Sequence, residues 1–251
     1  MGKEAGVVNV FDKPYEVWSK RDSTMEEALD LFNNKGLSMI EALQVNDQLI
    51  EVVSTHTEAA TRILRQKVDN SLEAHIDRAL DASPEYLNLR KLMPQDEPEA
   101  LSLYQGKFSE CEWPMADAAI KTYGVEIAEG QCLFHGGHWT NGSSPINTSR
   151  PFSTSFCPQV ALRNAEWNGK AYDAGRVDLM VVRVRGGKNK AYAYSREGNH
   201  GNEKEVVFAS GAQLTPINET FIDNILVSKV LPNSSLIEKL VPAYVVLVEL
   251  S

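Results

Sequence analysis

The chain has 251 residues, 43% of them hydrophobic and 24% charged, a composition that suits a globular protein with a sizeable core. Its net charge of −9 argues against nucleic acid as a partner, because phosphate contacts need clustered Lys and Arg. Three widely spaced cysteines, Cys111, Cys132 and Cys157, form no C-x-x-C pair. Neither a disulfide framework nor a thiolate metal site is indicated, and a reducing compartment is the simple reading.

The opening MGKEAGVVNVFDKP is too polar for a signal peptide, and Gly6 stands where a myristoylation signal wants Ser or Thr. No apolar run approaches a membrane span, so no membrane partner is expected. Residues 1–20 read as an irregular lead-in. Ser23 with Glu26 then reads as a capping box whose helix Gly36 can stop. A second box, Ser38 with Glu41, opens a run carrying Leu43, Leu49, Ile50 and Val53. From Glu58 to Leu80, Ala60, Ile63, Leu64, Val68, Leu72, Ile76 and Leu80 recur at spacings of three and four, which predicts one longer helix. Ser83-Pro84 can cap and start another turn. Residues 93–98 (MPQDEP) look like a linker, followed by a helix over Glu99–Phe108.

The second half changes character. Short apolar, β-rich runs fall at Cys132–Phe134, Leu179–Val184, Val206–Phe208, Ile225–Val230 and Tyr244–Leu250, with Gly and Pro between them. The expected fold is α+β, with a helical N-terminal region over 1–95 and a domain of mainly antiparallel strands over 96–251.

Three segments of that domain can carry chemistry. In Phe134-His135-Gly136-Gly137-His138-Trp139, glycine lets a ligand approach the backbone; a tight turn with a structural histidine is the other reading. His135 and His138 would need a third ligand to hold a metal, and no candidate is marked. In Pro151-Phe152-Ser153-Thr154-Ser155-Phe156, hydroxyls on a strand need partners, for which a carboxylate is natural; an edge strand with solvated hydroxyls is the alternative. In residues 198–208 (GNHGNEKEVVF), a Gly/Asn loop runs into a buried strand. Glu203 and Glu205 would share one face if extended, and the repulsion raises at least one pKa. A solvated charged loop end, with Lys204, is the bland reading.

Together and in this order, the three segments resemble the ADP-ribosyltransferase superfamily, in its toxin-like branch. That branch has an Arg on its first strand, a Ser-Thr-Ser strand and a Glu-x-Glu or Gln-x-Glu loop. Ser153-Thr154-Ser155 with Pro158 and Ala161 is similar to the second element, and Glu203-Lys204-Glu205-Val206-Val207-Phe208 to the third. Leu101-Ser102-Leu103-Tyr104-Gln105-Gly106 resembles the helix before the first strand, and Tyr244–Glu249 the last strand. The resemblance covers roughly residues 99–251. It departs at the first-strand Arg, where His135 stands, as in the branch that includes the poly(ADP-ribose) polymerases and diphtheria toxin.

The resemblance implies a split β-sandwich core and NAD as co-substrate, with no metal. It implies Glu205 at the ribose 2′-hydroxyl, Ser153 orienting Glu205, and Glu203 receiving the acceptor side chain. His135, Gly136, Ser153, Thr154, Ser155 and Tyr104 are the residues it sets around NAD. Glu two before the catalytic Glu goes with arginine acceptors in the resembling enzymes, and a carboxylate suits a guanidinium. The expected activity is transfer of ADP-ribose to a protein. NAD hydrolysis on the same fold, or a binding protein without turnover, are the competing readings. A cytoplasmic enzyme, or a toxin or effector secreted into a host cell, fits the absence of a signal peptide.

Overall fold

A computed structural model describes residues 6–107, 112–139, 142, 144–186, 188–198 and 200–251. Phe108, the expected end of one helix, and Cys111 lie outside the described residues. The chain forms two compact units, Phe11–Thr55 and Met1–Val10 with His56–Ser251.

The unit Phe11–Thr55 is an antiparallel pair, β1 (Tyr15–Asp22) and β2 (Gln44–Val53), bridged by helices α1 (Met25–Lys35) and α2 (Met39–Ala42). The expected irregular lead-in is therefore a strand in its second part. The helix predicted through Leu43, Leu49, Ile50 and Val53 is corrected too: after four residues the chain becomes β2. Val45, Ile50, Val52 and Val53, β-branched residues in the run, favour the strand. The first capping box sits one residue later than predicted, on Thr24 and Glu27. Ser23 instead donates to the Ala42 carbonyl at 2.6 Å. Gly36 ends α1 at φ 68, as expected of a left-handed cap.

In the larger unit the predicted 58–80 helix is two helices, α3 (His56–Gln66) and α4 (Asn70–Ala82). The break has a local cause. Lys67 adopts φ 65, and Asp69 caps α4 by accepting Leu72 N at 2.9 Å while pairing with Arg62 at 2.6 Å. Ser83 caps α5 (Pro84–Lys91), and residues 93–98 lead to α6 (Glu99–Lys107) and α7 (Trp113–Tyr123).

The remaining elements are β3 (Val125–Glu126), β4 (Cys132–Gly137), β5 (Ile146–Asn147), β6 (Phe152–Ser155), α8 (Pro158–Glu166), α9 (Lys170–Ala174), β7 (Val177–Val184), β8 (Lys190–Ala193), β9 (Glu205–Phe208), β10 (Gln213–Val230) and β11 (Leu236–Leu250). The sheet order is β3-β8-β9-β6-β4-β7-β11-β10-β5. Most neighbours are antiparallel; β7 and β11 are parallel, and β7 is buried along nearly its whole length.

One seam in this sheet is weak. β4 and β7 pair over six residues, but β4 meets β6 at a single position, Phe134 opposite Ser155. Four strands on one side of the seam, β3, β8, β9 and β6, are thus joined to the other five through one pair. The His-Gly-Gly segment lies within β4 and is not the tight turn that was one reading of it.

Gly136 has a packing reason. A Cβ placed there would lie 1.6 Å from the Ala161 carbonyl oxygen, so α8 rests directly on β4. Gly136→Ala must push helix and strand apart, at a cost of about 3 kcal/mol, the upper part of the usual range for overpacking. For a chain of this size its thermal midpoint should fall by roughly 6–12 °C. An unchanged midpoint in a melting experiment would mean that α8 does not press on β4.

Candidate active site

Register brings the three hydroxyls of β6 to three different tasks. Ser153 lies opposite Val207 and Ser155 opposite Glu205, so Glu205 is the diagonal neighbour of Ser153 on the same face. Ser153 Oγ donates to Glu205 Oε1. Ser155 Oγ donates to the Glu203 carbonyl at 2.6 Å and accepts Cys157 N at 3.0 Å. Thr154 Oγ1 donates to the Val206 carbonyl at 2.6 Å. These hydroxyls are not on a solvated edge: Thr154 and Ser155 are buried, and Ser153 partly so.

Glu205 opens β9 and is 8% exposed. Its other oxygen, Oε2, accepts Gln105 Nε2 of α6 at 3.0 Å. Burial pushes its carboxyl up to about 7; the Ser153 and Gln105 bonds oppose this, and the nearby charges of Glu203 and Glu97 add to it. Gln105 is a site residue that sequence reasoning quoted only as part of a helix. Its signal was its place in that segment, Leu101–Gly106.

Glu203 and Glu205 do interact, but not by sharing the face of an extended strand. Glu203 ends a short 3-10 turn (Gly201–Glu203), and Lys204 is left-handed at φ 50. Glu203 is partly exposed, its carboxyl raised mainly by burial, with His200 Nδ1 at 3.8 Å and Arg163 opposing the shift. Of the turn's preceding loop, Asn199 lies outside the described residues.

His135 faces the seam. Its Nδ1 is 2.6 Å from the Ser153 carbonyl oxygen, and its ring packs on Phe152 at 4.4 Å between centroids. Burial lowers the imidazole to about 4; the Ser153 carbonyl opposes this, while Lys170 and Arg150 reinforce it. At neutral pH the ring is therefore uncharged. A carbonyl only accepts, so Nδ1 carries the proton and Nε2 is left as an acceptor. His138 turns elsewhere, with Nδ1 3.6 Å from Asp178. Among the described residues no group of three or more His, Cys, Asp and Glu side chains is placed to hold a metal ion. No helix among them is long and apolar enough to cross a membrane.

A small cleft opens at the seam, lined by Phe134, His135, Gly136, Ser153, Thr154, Ser155, Ala161 and Asn164. Tyr104 is absent from it. That side chain is fully buried, its hydroxyl 3.4 Å from the Pro151 carbonyl oxygen, and its phenol is pushed up by burial and by Glu205. Tyr104 is thus tied to the backbone just ahead of the strand that carries the hydroxyls.

No protein-family model matches the chain, and no curated protein matches it by sequence. Among solved structures it is similar to several bacterial toxins and exoenzymes. One is the enzymatic component C2-I of the C2-toxin from Clostridium botulinum, at 8% identity and a TM-score of 0.39, covering 65% of this chain and 45% of that one. Another is the Vis toxin, an ADP-ribosyltransferase from Vibrio splendidus, at 15% identity and a TM-score of 0.34, covering 65% of each chain. A third is the Clostridium limosum C3 exoenzyme, at 14% identity and a TM-score of 0.39, covering 70% of this chain and 94% of that one. The chain thus spans less than two thirds of the first two.

The Glu205 carboxyl has a consequence for stability. The folded chain holds this proton more tightly than the unfolded chain does, so stability is lost as pH rises from the ordinary carboxyl value through about 7. Glu205→Gln removes the titration. Its stability relative to the unsubstituted protein should therefore grow from pH 5 to pH 8 by roughly 2–3 kcal/mol. Denaturant unfolding at the two pH values measures this difference. A constant difference would mean that Glu205 titrates as an exposed carboxyl does.

Proposed function

We propose that this chain cleaves NAD at its nicotinamide–ribose bond and transfers the ADP-ribose to a protein side chain, arginine favoured. The observation that carries this reading is the carboxyl of Glu205, buried beside a cleft at the seam of the sheet and held through both oxygens by Ser153 and Gln105. A carboxylate so fixed cannot swing away, and it has little water to screen it.

NAD supplies the leaving group, nicotinamide, whose departure leaves positive charge on the ribose, as in glycoside cleavage. Glu205 as carboxylate bonds the ribose 2′-hydroxyl and stabilises that charge. Ser153 fixes its rotamer, and Gln105 holds the second oxygen. His135, neutral and with Nε2 as acceptor, suits a ribose hydroxyl and does not suit a phosphate. The pyrophosphate then needs other cations. Arg150, stacked 4.8 Å over Trp113, and Lys170 are both felt by His135 and are the candidates. The partly exposed Glu203 takes the acceptor, whose guanidinium its carboxylate can pair.

The cleft is far smaller than the roughly 300–1,000 Å³ of usual small-molecule sites, so NAD has to open the seam in order to enter it. Gly136 fits a packing role more directly than a ligand cradle, since the Ala161 carbonyl fills the space a Cβ would take.

Two measurements test the reading. With labelled NAD, Glu203→Gln should lower protein labelling by on the order of tenfold or more, the loss of a charge-assisted contact, while nicotinamide release stays within a few-fold. Equal loss of both would contradict the division between Glu203 and Glu205 and favour a simple NAD hydrolase. Nicotinamide release should also rise with pH through about 7, as Glu205 ionises. A flat profile between pH 6 and 8 would remove Glu205 as the group that must be charged.

A further inference from the structure

Lys204, between the two glutamates, is 3% exposed. Its ammonium donates to Glu73 Oε1 at 3.0 Å and to the Asn202 carbonyl at 3.0 Å, and lies 3.3 Å from Asp77 Oδ1. Two hydrogen bonds and a further carboxylate at ion-pair distance thus surround the buried charge. Glu73 and Asp77 are four apart and stand on one face of α4.

That face is itself fixed. Gln159 of α8 donates to Glu73 Oε2 at 2.8 Å and accepts Asp69 N at 2.6 Å. Arg196 pairs with Asp77 at 2.7 Å and with Asp81 at 2.6 Å. The lysine's backbone is held as well. Its φ of 50 is costly for a residue with a side chain, and its carbonyl accepts Phe156 N at 3.1 Å from the end of the Ser-Thr-Ser strand. The kink at Lys204 is what lets Glu203 leave the strand direction while Glu205 enters it.

We infer that Lys204 is a positioning residue: anchored in the carboxylates of Glu73 and Asp77, it locks the kinked turn that sets Glu203 and Glu205 at their separate stations. Helix α4, which lies outside the part of the chain with family resemblance, is then part of the active-site scaffold. The inference rests on the proposed function only for its kinetic arm.

The test compares Lys204→Met with Lys67→Met. Lys67 is also left-handed, at φ 65, and is ion-paired to Glu166 without touching the turn, so its loss controls for general destabilisation. Lys204→Met should speed hydrogen exchange at the amides of Phe156, Glu203 and Lys204, which are bonded to Lys204, His200 and Gly201 in the turn. It should lower kcat for nicotinamide release by roughly tenfold to 100-fold, the scale expected when a reacting group is displaced. KM for NAD should move by less than about threefold, because Lys204 touches no part of the cleft. Lys67→Met should leave both readouts at their starting values in its folded fraction. Where Lys204→Met does not fold, Glu73→Gln removes one of the two carboxylate charges facing the ammonium and should give a smaller change of the same sign. Unchanged exchange at the three amides overturns the inference, and so does a kcat no lower than that of Lys67→Met. If the unsubstituted protein releases no nicotinamide, the NAD reading falls and the exchange arm alone decides the role of Lys204.

Discussion

Glu205 stands where an ionised side chain is expensive to keep. It begins a strand whose next three residues are fully buried, and its carboxyl is held close to neutral pH by that burial. Lifting a carboxyl from its ordinary value to about 7 corresponds to roughly 3 kcal/mol lost from stability above that pH, a sizeable share of the 5–15 kcal/mol that usually holds a domain folded. Much of the neighbouring structure serves to hold this group. Ser153 reaches it diagonally across β6 and β9, Gln105 closes on it from α6, and the Lys204 kink delivers it from the preceding turn.

The seam between β4 and β6 makes that burial usable. A fully paired sheet would seal the hydroxyl strand against its neighbour. Here the backbone pairing reduces to Phe134 and Ser155, and the His135 imidazole takes the Ser153 carbonyl as its own acceptor. One side chain thus satisfies a backbone group that a closed ladder would have used, and a cleft remains beside it. The same bond sets the tautomer of His135 and leaves Nε2 as an acceptor nitrogen.

The sequence made the β-rich second half legible because its strands are buried on one or both faces and rich in Val, Leu and Ile, as LMVVRV and YVVLVEL are. That hydroxyls on the strand seek a carboxylate was legible from their chemistry, but the pairing of Ser153 with Glu205 came from the resemblance. The first half read less well. Leu43, Leu49, Ile50 and Val53 fit a loose helical spacing, yet tertiary pairing with β1 made them a strand. The break at Lys67 depends on a side-chain cap by Asp69, which a hydrophobic period of three to four does not register. Lys204 was hidden for a related reason: a lysine between glutamates reads as a solvated charge, and only the fold brings Glu73 and Asp77, more than a hundred residues earlier, to bury it. Tyr104 and Gln105 are adjacent, and which of them faces the carboxyl is decided by the rotation of α6, beyond the reach of pattern alone.

The central claim is that the buried Glu205 carboxylate drives departure of nicotinamide from NAD. Release of nicotinamide at pH 8, where the carboxyl is ionised, measures it most directly when the unsubstituted protein and Glu205→Gln are assayed side by side, both verified as folded. The account predicts release by the unsubstituted protein and a rate lower by on the order of 100- to 1,000-fold in Glu205→Gln. Equal rates in the two proteins, or no release by either, would contradict it.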